Sequence, residues 1–216
     1  MLKNDTVITI NRLYGSGGRI MGKRLSEEFD IPFYDEEILT MASEESAIGE
    51  RFFRLNDEKA GNNLFFRAIG GLHTSLEEPS VDDDITSPEN LFRFQAKVIR
   101  HVAAKGPCII MGRCADYVLG AAQVKNLVRL FVYADLTTCI RRVEEVDRVD
   151  SREALRRVNR ISKERRDYYK YYTGKDWEDM ANYDLPINTS SLDIDQAAEL
   201  VKKYLELKEI GSTVNV

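Results

Sequence analysis

Glycines and basic side chains crowd one short stretch near the start of the chain, Tyr14-Gly-Ser-Gly-Gly-Arg-Ile-Met-Gly22. It follows a β-branched run, 6–11, that predicts a strand, and it leads into a run at 19–29 whose apolar spacing predicts a helix. Glycines at such a junction allow backbone N–H groups to converge on an anion, and the helix N-terminus adds the positive end of its dipole. The stretch therefore predicts a phosphate-binding loop, with a glycine-rich connection that binds no ligand as the alternative.

The loop departs from the Walker A pattern G-x-x-x-x-G-K-[ST]. With Gly17 as the second glycine of that pattern, Arg12 stands at the first glycine position. Gly18 stands at the lysine position and Arg19 at the hydroxyl position. The basic residues Arg12, Arg19 and Lys23 nevertheless lie close to the turn, which favours an anion as its ligand.

The rest of the chain reads as alternating strands and helices. A short strand is predicted at 31–34, continuous apolar runs at 107–111 and 127–133 are typical of buried parallel strands, and 184–188 predicts a last short strand. We expect a three-layer α/β domain, with a parallel sheet and helices on both faces. Two inserts interrupt it. The first, near 36–100, contains irregular helical segments and an acidic loop at 74–90, and the second lies near 141–176.

Charge is unevenly distributed along the sequence. The 216 residues carry a net charge of −5, but residues 141–175 hold 12 Lys and Arg against 7 Asp and Glu. That segment therefore carries +5 and the remainder −10. Many of its basic residues recur every three or four positions and can line one helix face, namely Arg152, Arg156, Arg160, Lys163, Arg166 and Lys170. The face is either an anion-binding surface or a solvated helix balanced by its own acidic residues.

Composition excludes several classes of protein. No run approaches the roughly 20 apolar residues of a membrane span, and the three cysteines are scattered without CxxC spacing. We therefore expect a reduced, cytoplasmic protein with no membrane partner. The acidic average disfavours nucleic acid as a partner. No cluster of metal-ligating residues is apparent in the sequence.

Five motifs in order resemble the cytidylate kinase-like family of P-loop nucleoside-monophosphate kinases. They are Tyr14-Gly-Ser-Gly-Gly-Arg19, Ile31-Pro-Phe-Tyr-Asp35, Gly112-Arg113, Tyr168-Tyr-Lys-Tyr-Tyr-Thr-Gly174 and Asn182-Tyr-Asp-Leu-Pro-Ile-Asn-Thr-Ser190. The resemblance implies phosphoryl transfer from ATP with Mg²⁺ to a small nucleotide substrate, CMP or dCMP. It also implies one P-loop kinase-type domain over 1–216, whose parts are a core (1–35, 101–140 and 177–216), a helical acceptor-binding insert (36–100) and an Arg-rich helical lid (141–176).

The resemblance also implies roles for individual residues. The donor phosphates would be wrapped by the loop, Gly15, Ser16, Gly17 and Gly18, with Arg19 as a substitute for the missing lysine. Arginine can neutralise phosphate bidentately, which makes this substitution plausible. The acceptor would be bound by Arg113, with Asp35 facing the place where acceptor and metal meet. The transferring group would be stabilised by Arg19 and three lid residues, Lys163, Arg165 and Arg166. Mg²⁺ would arrive with ATP rather than in a dedicated protein site.

Several alternatives remain open at this point. Cytidylate kinases have Asp after the Gly-Arg pair where this chain has Cys114, which leaves recognition of the acceptor's base or sugar open. Asp35 is also placed to cap the following helix. The tyrosines at 168–172 either pack the lid on the core or stack on a base. A kinase for another small metabolite, a non-catalytic nucleotide-binding regulator and, more remotely, an RNA-binding protein are the alternative functions. The oligomeric state is not predicted.

Overall fold

A computed structural model describes residues 2–3, 5–57, 76–80 and 84–211. Within these residues, five strands form one parallel sheet in the order β2-β3-β1-β4-β5. They are β1 (Val7–Arg12), β2 (Phe33–Tyr34), β3 (Cys108–Met111), β4 (Leu127–Tyr133) and β5 (Leu185–Asn188). The predicted parallel sheet is confirmed.

The helices described are α1 (Gly18–Phe29), α2 (Glu37–Ser46), α3 (Glu50–Leu55), α4 (Pro88–Ala104), α5 (Ala115–Ala121), α6 (Leu136–Asp147), α7 (Ser151–Thr173) and α8 (Ile194–Gly211). A single 3₁₀ turn, Met180–Asn182, precedes β5. The acidic loop predicted at 74–90 ends earlier than expected, because Ser87 caps α4 by accepting a hydrogen bond from the Asn90 amide and Pro88 occupies the first turn. Most of the helical character predicted at 49–73 lies outside the described residues; only α3 represents it here.

The central strand β1 is buried on both faces, which explains its nearly continuous apolar sequence. Ile8 and Ile10 pack into one core with α1 and α8, whereas Val7 packs into a second core on the opposite face. That second core is lined by α2, α4, α5 and α7. The three-layer arrangement predicted from the sequence is therefore present.

The tyrosines of α7 pack into the second core. Tyr168, Tyr169 and Tyr172 are almost completely buried, and the ring of Tyr172 stacks on Phe92 of α4 with centroids 4.0 Å apart. Tyr168 meets the same Phe92 ring edge-on. These contacts favour the packing interpretation of the tyrosine motif, and they fix the C-terminal half of α7 to the body of the domain.

The strand order creates a crevice at the carboxyl edge of the sheet. The chain leaves β1 on one side for β2 and β3 and crosses to the other side for β4 and β5. In open α/β sheets, ligands bind where the strand order reverses in this way. The loop between β1 and α1 lies at this edge. No helix in the described part of the chain is both long enough and apolar enough to cross a membrane.

Candidate active site

The glycine-rich loop joins the end of β1 at Arg12 to the start of α1 at Gly18. Gly15 and Gly17 both have left-handed backbone angles, with φ of 82° and 83°. A Cβ on Gly15 would lie 2.6 Å from the carbonyl oxygen of Cys139, which is backbone and cannot easily move aside. The loop conformation therefore requires glycine at position 15 for both its backbone angle and its close packing.

Five backbone amides of this loop donate to no acceptor among the described residues. They belong to Gly15, Gly17, Gly18, Arg19 and Ile20. The last four surround the N-terminus of α1, where unpaired N–H groups and the helix dipole together favour an anion. The loop therefore has the form of an anion-binding nest.

Several other backbone groups of the loop bond to distant parts of the chain. The Tyr14 amide donates to Ser162 Oγ of α7 at 3.2 Å, and Arg165 Nη1 donates to the Arg12 carbonyl at 3.0 Å. The Ser16 carbonyl accepts from Arg142 Nη1 at 3.0 Å and from Thr189 Oγ1 at 2.7 Å. The loop is consequently anchored by α6, α7 and the residue after β5.

A cleft of about 540 Å³ opens beside the loop. It brings together three glycines of the loop with Arg19 of α1, Arg142 of α6, and Arg160 and Arg165 of α7. Apolar side chains complete its walls, including Ile20, Val146 and Ile194. The cleft therefore offers unpaired amides, cationic side chains and an apolar surface in one space.

The predicted donor-site residues occupy different positions around this cleft. Gly15, Gly17, Gly18 and Arg19 line it. Ser16 is fully buried and its hydroxyl donates to the Leu13 carbonyl at 2.9 Å, so its side chain stabilises the turn itself.

The predicted lid residues divide into a buried arginine and two surface cations. Arg165 is only 5% exposed and borders the cleft. Lys163 and Arg166 lie outside the residues that line the cleft, and each forms an ion pair, with Asp167 and Glu178 respectively. A helix places residues 163 and 166 on the face that also carries Arg160 and Lys170, while Arg165 lies on another face. Catalytic roles for Lys163, Arg165 and Arg166 stay predictions.

The predicted acceptor residues belong to a chain of four charged groups. Arg113 is fully buried, with Nη1 2.9 Å from Asp35 Oδ1 and Nη2 3.0 Å from Asp57 Oδ2. Asp35 Oδ2 in turn lies 2.8 Å from Arg19 Nε. Asp35 thus connects Arg19 at the start of α1 to Arg113, and α2 begins after a different N-cap residue, Glu36. Roles for Asp35 and Arg113 in substrate binding stay predictions.

The backbone around Arg113 is unusual. Gly112, Arg113 and Cys114 have successive left-handed φ values of 65°, 53° and 57°. For a non-glycine residue such a conformation costs of order 1–3 kcal/mol. In this turn the Arg113 guanidinium lies close to the end of β3, where Nη1 also donates to the Met111 carbonyl at 3.3 Å.

A second polar chain links the loop to the helices that follow β4. Tyr14 Oη donates to Asp147 Oδ2 at 2.9 Å, and Arg157 Nη1 lies 2.7 Å from the same oxygen. Burial, reinforced by the hydrogen bond to Asp147, raises the pKa of Tyr14. The phenol therefore remains a protonated donor that ties the loop to α6 and α7.

Sequence reasoning missed the residues that anchor the loop. The sequence suggested Arg141 or Arg142 only as side chains that could face the phosphates themselves, and it left Thr189 an unassigned member of the Asn182–Ser190 motif. Arg142 and Thr189 are 47 residues apart along the sequence, so their contact exists only in the folded chain. A signal was available for Thr189: a hydroxyl directly after the last strand lies at the same sheet edge as the loop.

The described residues contain no group of three or more His, Cys, Asp or Glu side chains that could hold a metal ion. Burial raises the pKa of Cys108 to about 12 and that of Cys139 to about 11. Both are therefore neutral thiols at physiological pH.

Comparison with known proteins places this geometry in a family. The model of the cytidylate kinase-like family matches residues 7–191. A cytidylate kinase from Methanopyrus kandleri is 25% identical over 214 residues, which span 95% of this chain and 96% of that protein. The crystal structure of an uncharacterized protein from Eubacterium ventriosum aligns with a TM-score of 0.67 at 26% identity, covering 93% of this chain and 98% of that one.

Shikimate kinase from Bacteroides thetaiotaomicron aligns with a TM-score of 0.52 at 13% identity, over 93% of this chain and 98% of that one. At this identity the likeness concerns the fold alone, and it agrees with the sheet and loop described above. The fold is that of the P-loop kinases, and the chain belongs to the cytidylate kinase-like family.

Proposed function

We propose that this protein transfers the γ-phosphoryl group of ATP to a nucleoside monophosphate, CMP or dCMP. The observation that carries the proposal is the set of five amides in the loop and at the start of α1 that have no acceptor among the described residues and lie beside a cleft of about 540 Å³. Such a nest suits the closely spaced anionic oxygens of a polyphosphate better than a single carboxylate.

The residues of the cleft fit a nucleoside triphosphate. Arg19 and Arg165 supply positive charge, and Arg160 adds a third cation at the margin. Arg19 retains 53% of its side-chain surface exposed while its Nε lies against Asp35, so its terminal nitrogens remain accessible. Arg19 supplies the charge of the missing lysine but not the compact shape of an ammonium group. We therefore expect catalysis to depend on the orientation of the Arg19 guanidinium.

Mg²⁺ fits the site only as part of the nucleotide. Because the described residues offer no cluster of metal ligands, the ion would be held by phosphate oxygens and water, as is common for Mg²⁺. When bound, it neutralises charge that develops on the phosphates during transfer. The protein's own contribution is then to position the phosphates and to exclude water.

The acceptor is assigned from the family and from the charges near Arg113. The relative from Methanopyrus kandleri is named a cytidylate kinase, and Arg113 with Asp35 lies next to the donor loop. In the reaction, a phosphate oxygen of the acceptor attacks the γ-phosphorus while the bond to the β-phosphate oxygen breaks, releasing ADP. Arginine is well suited to hold the acceptor's phosphate through paired hydrogen bonds.

One observation favours a second candidate, a kinase for a hydroxylated metabolite that lacks phosphate. The Arg113 guanidinium has no exposed surface and is shared between Asp35 and Asp57. An acceptor phosphate would have to displace a carboxylate, whereas a neutral hydroxyl would not.

The test is an ADP-release assay over a panel of nucleoside monophosphates and hydroxylated metabolites. Arg19→Ala should lower kcat at least tenfold. The matched control is Arg24→Ala, which removes an exposed arginine of the same helix that pairs with Glu28 and Asp195. Stimulation by CMP or dCMP supports the proposal, and selective stimulation by an unphosphorylated metabolite supports the second candidate. ATP binding without turnover on any acceptor would overturn both in favour of a non-catalytic nucleotide-binding protein.

A further inference from the structure

We propose that Arg142 and Thr189 are positioning residues that orient the Gly17 amide toward the phosphates of the nucleotide. The inference rests on the proposed function, since it assigns how the donor site acquires its shape. Neither residue needs to touch the nucleotide. Their role is exerted through one carbonyl of the loop, that of Ser16.

Four hydrogen bonds join the two residues to each other and to Ser16. Arg142 Nη1 donates to the Ser16 carbonyl at 3.0 Å and to Thr189 Oγ1 at 2.9 Å, and Nη2 donates to the Thr189 carbonyl at 2.8 Å. The Thr189 hydroxyl has one proton to donate. Its oxygen lies 2.7 Å from the Ser16 carbonyl oxygen and 3.2 Å from the Tyr133 carbonyl oxygen, so Ser16 is the closer acceptor. The Ser16 oxygen is thereby held from two sides.

Holding this carbonyl also fixes the next amide. In a trans peptide the C=O of one residue and the N–H of the next point in opposite directions from the same plane, and the described chain contains no cis peptide. With the Ser16 oxygen directed at Arg142 and Thr189, the Gly17 N–H is directed to the opposite side. The Gly17 amide is among the five that have no acceptor in the described part of the chain, and Gly17 lines the cleft.

The anchor is needed because the loop has little rigidity of its own. Glycine flanks Ser16 on both sides, and glycine accepts many backbone conformations. A rotated 16–17 peptide would present a carbonyl oxygen to the phosphates in place of an N–H. Preorganised donors avoid that reorganisation when the ligand binds. Thr189 is fully buried, which protects the anchor from competition by water.

The experiment measures affinity for ATP and for inorganic tripolyphosphate by calorimetry, so it does not depend on turnover. Thr189→Val and Arg142→Gln should each weaken binding of both ligands about tenfold, and the double variant should lose little more, because both act on one carbonyl. Thr189→Ser keeps the hydroxyl and should bind like the wild type. Arg141→Gln is the matched control: it removes the neighbouring charge, which is 59% exposed and paired with Glu145.

Arg142→Lys separates orientation from simple charge. Lysine keeps the positive charge but cannot make the forked contact to Ser16 and Thr189. We expect Arg142→Lys to bind ATP and tripolyphosphate as weakly as Arg142→Gln does. In the absence of ligand, the NMR resonance of the Gly17 amide should shift in both variants. Full affinity in Arg142→Lys would show a phosphate ligand instead and overturn the inference. Wild-type affinity in Thr189→Val and Arg142→Gln would overturn it too, while an ATP-binding wild type without turnover would count against the proposed function alone.

Discussion

The proposed reaction has a donor side, the glycine-rich loop and its cleft, and an acceptor side, the buried cluster around Arg113, and the two would accommodate phosphate in opposite ways. The donor side uses backbone amides that face an open cleft, and five of them have no acceptor within the described residues. The acceptor side uses a guanidinium with no exposed surface, and two carboxylates already occupy it. One side is open to an anion, and the other is filled by internal anions.

The difference follows from the cost of burying charge. Exposed amides are hydrated when no ligand is present, so an empty nest costs the protein little. A buried guanidinium without a counter-charge costs several kcal/mol, so it needs carboxylates whenever the acceptor is absent. Asp35 and Asp57 therefore stabilise Arg113, and under the proposed function acceptor binding would have to exchange at least one of these pairs for a phosphate. Asp35 also forms an ion pair with Arg19, so a change in the pairing of Asp35 would alter the charge next to the glycine-rich loop.

The largest effect is expected when Arg113 is removed. Arg113→Met leaves Asp35 and Asp57 buried without their shared cation, and breaking a buried pair in this way costs about 3–5 kcal/mol. Urea denaturation of the wild type and the variant measures the change in the free energy of unfolding. Arg129→Met is the control, because Arg129 pairs with Asp184 where both side chains are partly exposed, and its loss should cost about 1 kcal/mol or less. Equal losses of unfolding free energy in the two variants would contradict the inference that the buried carboxylates depend on Arg113 for their counter-charge.

The next largest effect is expected on the donor side, at Gly15. Gly15→Ala places a Cβ at a φ of 82° and 2.6 Å from the Cys139 carbonyl, so the loop must shift. The left-handed conformation alone costs about 1–3 kcal/mol, and the shift misplaces the amides as well. ATP affinity, measured by calorimetry, should fall at least tenfold. Gly120→Ala is the control, since its added Cβ meets nothing within 4 Å. Unchanged ATP affinity in Gly15→Ala would mean that the loop does not bind the phosphates.

Much of the fold was predictable because its signals are local. The continuous apolar run at 127–133 and the glycine-rich junction after the first strand identified β4 and the start of α1, with boundaries within about a residue of those observed. Buried parallel strands and helix starts are encoded by neighbouring residues, and tertiary contacts reinforce these preferences.

Much of the site was not predictable, because its contacts join distant residues. Nothing in the sequence pairs Arg113 with Asp57, which lies 56 residues away, or sets Arg142 against Ser16 at a separation of 126. The residue types at 19, 35 and 113 indicated phosphate chemistry. Whether each one faces a ligand or another side chain depends on burial and rotamer, which a linear pattern does not contain.

A moderate effect is expected when the charge of Asp57 is removed. Asp57→Asn weakens the internal competitor for Arg113 but keeps the shape of the side chain, so an acceptor phosphate should displace it more easily. We expect the KM for the acceptor to fall about threefold, with little change in the KM for ATP. Steady-state kinetics with each substrate varied in turn measures both constants. A raised acceptor KM would show instead that Asp57 holds Arg113 in its binding position.

The smallest effect is expected at Asp116, a buried residue of α5. Among the contacts described for it, no ion pair neutralises its carboxylate. Its oxygens accept hydrogen bonds from Asn11 and Tyr169, and burial raises its pKa. Because the folded-state pKa lies above the unfolded value of about 3.9, the stability it contributes is complete below that value and is lost as the pH rises through the folded-state pKa.

Asp116→Asn removes this titration, so the Tm of the wild type relative to the variant should decrease as the pH is raised from 4 to 8. Asp135→Asn provides a control of opposite sign, because the Thr138 amide lowers the pKa of Asp135 by hydrogen bonding to its carboxylate. There the wild type should gain stability over its variant as the pH rises through the acid range. Parallel melting curves for wild type and Asp116→Asn at every pH would mean that the hydrogen bonds from Asn11 and Tyr169 offset the cost of burying this carboxylate in full.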